Sequence, residues 1–86
     1  VDYWLVTTGS DNQPGINGAI MQRSTQPVTC NTVDVPSFEE FAKRVVEAGG
    51  KVLMPRTAIP SVGYFAYCSD TEGNVFGIMQ EDPKAR

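Results

Sequence analysis

The chain has no histidine and only two cysteines, Cys30 and Cys68. Neither cysteine has a CxxC spacing, so a zinc site of the Cys/His type is excluded. Carboxylates, amides and two thiols are the only side chains left for a metal. No window approaches the roughly 18 consecutive apolar residues of a membrane span, and no signal-peptide pattern opens the chain. Positive charge is scarce and scattered: seven Lys and Arg stand against ten Asp and Glu, a net charge of -3. A nucleic-acid surface needs clustered cations, so that class of partner is not expected, and neither is a membrane. The two cysteines could form one bridge, but a reduced pair in a cytoplasmic protein is the expectation.

What is present is the composition of one small globular domain. The 86 residues are 41% hydrophobic, near the lower size limit for a self-sufficient core. "VDYWLVTT" at 1–8 is aromatic and β-branched and reads as a strand. "GSDNQPG" at 9–15 reads as a loop, and "INGAIMQR" at 16–23 as a second strand folding back as a hairpin. "STQP" at 24–27 is a polar connector, and "VTCNTVDV" at 28–35 is a third strand.

One helix is well marked, from about Ser37 to Ala48. Ser37 followed by Glu40 is a capping box, and Pro36 closes the strand before it. Phe38, Phe41, Ala42, Val45 and Val46 recur at helical spacing as one apolar face. Gly49 and Gly50 supply a left-handed stop. "KVLMP" at 51–55 follows, then a loop through Ile59, Pro60 and Ser61. Two further strands, "GYFAYCS" at 63–69 and "NVFGIMQ" at 74–80, flank a turn in which Gly73 takes positive φ. "EDPKAR" at 81–86 reads as a frayed polar tail. In "DTEGN", Asp70 and Glu72 partly match a calcium loop, but Asn74 starts a strand and no second helix follows. The turn reading is preferred.

Three stretches together resemble the second module of the vicinal oxygen chelate superfamily: "VTCNTVDVPSFEEFAKRVVEAGGKVL", "PSVGYFAYCSDTEGN" and "VFGIMQ". This is the group of glyoxalase I, bleomycin-resistance proteins, fosfomycin-resistance enzymes and extradiol dioxygenases. The chain is most similar to the glyoxalase-related, lactoylglutathione lyase-like members. The resemblance implies an α/β fold of the α+β type, a βαβββ module on a mainly antiparallel curved sheet. It divides the chain into a remnant of a first module (1–23, two strands), the connector (24–27), the second module (28–82) and a tail (83–86). The rest of the first module is expected before Val1, or its place is taken by a partner chain. A second copy, giving a homodimer, is the expected protein partner.

Family domains curl two such modules around a shared cup. Metal-using members project a ligand from the first strand of each module and a Glu from the last strand. By the resemblance, Cys30 stands near one ligand position and Gly77 stands where the strand Glu would be. Strand alternation sends Val33, Val35, Phe76, Ile78, Ala66 and Cys68 towards the helix. It sends Cys30, Thr32, Phe65, Tyr67, Val75, Gly77 and Met79 to the cup. Trp4 or Tyr3 should join them, with Trp4 the candidate, and Arg56 is a candidate for a ligand carboxylate or phosphate. No catalytic residue, metal ligand set or cofactor is identified. No base stands near Cys30 to activate it.

The leading expectation is therefore a glyoxalase-related domain without the family metal, holding a small organic molecule in its cup as drug-sequestering members do. The alternative is a metal-dependent lyase or dioxygenase whose ligands come from a missing segment or a partner chain. A regulatory domain of ferredoxin-like order is the third possibility.

Overall fold

A computed structural model of the chain describes residues 3–23 and 29–86. The connector at 24–27 and the start of the third expected strand at Val28 lie outside the described residues.

A hairpin comes first. β1 (Tyr3–Val6) pairs antiparallel with β2 (Gly18–Met21), Tyr3 opposite Met21 and Trp4 opposite Ile20. The loop between them is tied by Asn17, whose Oδ1 accepts from the Thr8 backbone N–H at 3.0 Å. These strands form a two-stranded sheet of their own.

The rest is an α+β module. β3 (Thr32–Asp34) leads into α1 (Phe38–Glu47), then β4 (Lys51–Val52), β5 (Thr57–Ile59), β6 (Gly63–Ser69) and β7 (Val75–Glu81). The sheet runs β3-β7-β6-β4, with β5 also paired to β6. β3 and β7 are parallel, and the other pairings are antiparallel. The parallel pair follows from the helical crossover: after α1 the chain returns to the far side of the sheet, and the last strand comes back beside β3.

α1 begins and ends on local chemistry. Ser37 is the N-cap, its Oγ accepting from the Glu40 N–H at 3.3 Å. At the other end Gly50 N–H donates to Val45 C=O and Gly49 N–H to Val46 C=O, with Gly49 at φ 96°. That pattern is a Schellman stop. A contact from far along the chain completes the start: Gln80 Oε1 accepts from the Phe38 N–H at 2.7 Å.

The core lies between α1 and one face of the sheet. Val35, Phe38, Ala66, Cys68 and Ile78 are buried, with Phe41, Val45, Val52 and Phe76 packed around them. Alternation along β6 and β7 produces this face, as the sequence predicts. Two apolar residues expected beneath the helix are exposed. Val33 shares the helix side of the sheet with its partner Ile78 but lies on the edge strand, 51% exposed. Val46 flanks the apolar stripe of α1 and is 58% exposed.

Two expectations change. The segment after β4 is not simply a loop, since Thr57–Ile59 pairs with Phe65, Tyr64 and Gly63 as β5. Pro55 and Pro60, which flank it, disguise a strand short enough to fit between them. The tail is not frayed. Ser61 N–H donates to Ala85 C=O, Asp82 N–H donates to Val62 C=O, and Ala85 is only 4% exposed.

Candidate functional site

Across the sheet, residues paired side by side share a face. On the side away from α1 this makes three rows. Thr32, Gly77 and Tyr67 form the first, and Asp34, Met79, Phe65 and Thr57 the second. Glu81, Gly63 and Ile59 form the third. The expected cup residues Thr32, Phe65, Tyr67, Gly77 and Met79 are thus brought together on one face.

Gly77 organises the middle of that face. A Cβ added there would meet the Phe65 ring at 2.6 Å and Thr32 Oγ1 at 3.1 Å. The Phe65 ring therefore leans diagonally across the strand and occupies the space in which a β7 side chain would begin. Tyr67 stands edge-on to it, ring centroids 4.8 Å apart at 86°, an arrangement that aromatic quadrupoles favour.

Cys30 closes one end. Its S–H is placed to donate to the Asn31 C=O at 3.7 Å. Burial pushes its thiol above the usual range, so it is a weaker nucleophile at neutral pH than a free thiol. The Tyr67 phenol is also raised, first by burial and then by the neighbouring Cys30 and Tyr3. Trp4 does not join the cup residues: it lies in the separate β1–β2 sheet, paired with Ile20, and is 55% exposed.

Arg56 does not join the cup residues either. Its guanidinium lies 4.4 Å over the Tyr64 ring and 3.5 Å from Glu39 of α1. Tyr64 is packed against the core, so Arg56 is on the helix side of the sheet. The short β5 turns it there, and that strand is what the sequence reading lacks. Conversely, Asp34 and Glu81 share the cup face and were not among the candidates. The alternation that selects Thr32 and Met79 selects them too. Glu81 is lost only if the last strand is ended one residue early.

Both cysteines are free, with Cys68 buried in the core beneath α1. The Asp70 carboxylate is engaged by its own turn. Oδ1 accepts from the Glu72 and Asn74 N–H groups and Oδ2 from the Asn74 side chain, at 2.9, 2.9 and 3.0 Å. Those bonds, the Asn74 side chain foremost, hold its pKa below the usual carboxylate value. The segment is a hydrogen-bonded turn, and Gly73 has φ 85° within it.

The residues of the cup face do not fit the metal that the family resemblance implies. A catalytic divalent ion takes several N or O ligands from converging side chains. Here the central position is a glycine covered by a phenyl ring. Among the described residues no three His, Cys, Asp or Glu converge on a common point.

The pairing order and the crossover helix are consistent with a small glyoxalase-like βαβββ module, with β4 and β5 as two short segments that both pair with β6. Sequence comparison agrees at that level. Over 50 residues the chain is 36% identical to a candidate glyoxylase, CFP32, of Mycobacterium tuberculosis and to its counterpart in Mycobacterium bovis. The match covers 58% of this chain and 19% of each relative, so the chain spans only a small part of their length. No protein-family model matches it. Among the described residues no helix is long and apolar enough to cross a membrane.

Proposed function

We propose that this chain is a glyoxalase-related module of the vicinal oxygen chelate superfamily that binds a small organic ligand on the sheet face opposite α1, without the family's metal. The face is open, and a second layer would turn it into a cup. A second copy of the chain, or the remainder of a first module, is the natural cover, because among the described residues β3 is an edge strand. A cytoplasmic location accords with two free thiols.

The observation that carries the reading is the Phe65 ring over Gly77. It puts aromatic surface where the metal-using relatives of the resemblance place a carboxylate. Flat apolar lining with a few polar groups, here Thr32, Cys30 and the Tyr67 hydroxyl, is the usual make-up of a small-molecule site.

Elemental analysis of the purified chain, combined with thermal melts in the presence and absence of chelator, tests this. The expected result is no stoichiometric Zn, Ni, Fe or Mn and an unchanged melting temperature. A bound ion stabilises the folded state by mass action, so its removal lowers the melt. About one transition metal per chain, with a chelator-sensitive melt, would return the metal-dependent lyase or dioxygenase to the lead. The observation favouring that second reading is the sequence match to a candidate glyoxylase.

A further inference from the structure

The charges on the cup face are segregated, and this says which ligand it suits. In the second row Asp34, Met79 and Phe65 lie side by side on β3, β7 and β6. Strands are about 4.8 Å apart, so Asp34 stands about 10 Å from Phe65 across the row. Glu81 is two residues beyond Met79 on the same face of β7, at the same end of the sheet. Both carboxylates are exposed, and no salt bridge engages either among the described residues. Of the described cations, the pairing assigns Lys51 to this face, opposite Ser69 at the far end of β6; Lys84 and Arg86 follow Glu81 in the tail that is bonded to Ser61. Arg56 is held on the other side of the sheet by Glu39 and Tyr64.

The centre of the face is therefore aromatic, and its Asp34 end carries two exposed carboxylates that no salt bridge engages among the described residues. Ring faces carry negative electrostatic potential and attract cations, and two carboxylates at one end add to this. An anion stacked on the same rings would meet repulsion from both. Building on the ligand-binding reading above, we propose that the face takes a flat, positively charged aromatic ligand. Its ring lies on Phe65 over Gly77, bordered by Tyr67, and its charge is directed to Asp34 and Glu81. Gly77 is the positioning residue: without a side chain it lets the Phe65 ring lie across β7 as a floor.

The test uses two flat dyes of opposite charge, proflavine (a cation) and 1-anilinonaphthalene-8-sulfonate (an anion). Each is titrated against the whole chain at low ionic strength, with dye fluorescence as the readout. Proflavine should bind about tenfold more tightly than the sulfonate, the combined scale of an exposed cation–π contact and surface charge pairs. The double variant Asp34→Asn, Glu81→Gln should remove most of that preference while leaving sulfonate binding little changed. Gly77→Ala should weaken proflavine, because its methyl group displaces the Phe65 ring. Phe65→Leu, which keeps an apolar residue without the ring, should weaken proflavine in the same way. Arg56→Ala, on the other face, should do neither. Circular dichroism of each variant separates a lost fold from a lost site.

Equal affinity for the two dyes, or proflavine binding indifferent to the double variant, would overturn the charge assignment while leaving the ligand cup standing. Dye binding unaffected by both Gly77→Ala and Phe65→Leu would overturn the aromatic floor. Failure of both dyes to bind would overturn this proposal and the ligand-binding reading beneath it.

Discussion

The hairpin β1–β2 and the module β3–β7 are built from the same kind of sequence, aromatic and β-branched residues in short runs, yet they end in opposite states. Every residue of β1 and β2 is exposed, Leu5 by 81% and Ile20 by 62%. In β6, four of seven residues are buried, and Ala66 and Cys68 are sealed completely. The difference is cover. A strand has a face to bury, but only a second layer buries it, and in the module that layer is α1. The hairpin has its cross-strand hydrogen bonds and no helix. Its apolar side chains, Leu5 and Ile20 among them, therefore stay exposed.

Substitutions on the two sides make this contrast measurable. The largest effect is expected at Phe38, which is 4% exposed and anchors α1 on the sheet. Phe38→Ala should cost about 3–5 kcal/mol in urea unfolding, a loss from which a small domain does not readily recover. A cost below about 1 kcal/mol would mean that α1 does not seal the module, and the comparison would collapse.

A smaller effect sharpens the same side. Ser37→Ala removes the cap that accepts from Glu40 N–H and should cost about 1 kcal/mol. Because Gln80 also accepts from the Phe38 N–H, the helix start keeps a second anchor. Ser37→Ala combined with Gln80→Ala should therefore exceed the sum of the two single costs. Simple additivity in a double-mutant cycle would show that the two anchors act independently.

The smallest effect belongs to the hairpin. Leu5→Ala should change stability by less than about 0.5 kcal/mol, as exposed positions do. Repeating the measurement across a range of protein concentrations adds a control, since a cover supplied by another copy would make the cost rise with concentration. A loss above about 1 kcal/mol would show that the hairpin is packed in solution and that its exposure here is not its working state.

Much of the fold and part of the site were legible from the residues. Ser37, Gly49 and Gly50 bound the helix to within a residue, because each acts on backbone groups no more than five positions away. The turn at 70–74 was readable for the same reason, as Asp70 bonds only to its near neighbours. Alternation sorted β6 and β7 onto their two faces, and with them Thr32, Phe65, Tyr67, Gly77 and Met79. Arg56 and Trp4, chosen on other grounds, lie apart from that group. Arg56 stands just before a strand hidden between two prolines, and Trp4 lies in the separate hairpin sheet.

The helix, the strands β6 and β7, their turn and the two faces of the sheet are set by local residue pattern. These rest on backbone hydrogen bonds and on side-chain periods that a few consecutive residues set. Folding alone brings Phe65 over Gly77, sets Gln80 at the start of α1 and holds Arg56 by Glu39 and Tyr64. Each of these depends on strand order and on close contact between side chains distant in the chain, which no local pattern encodes.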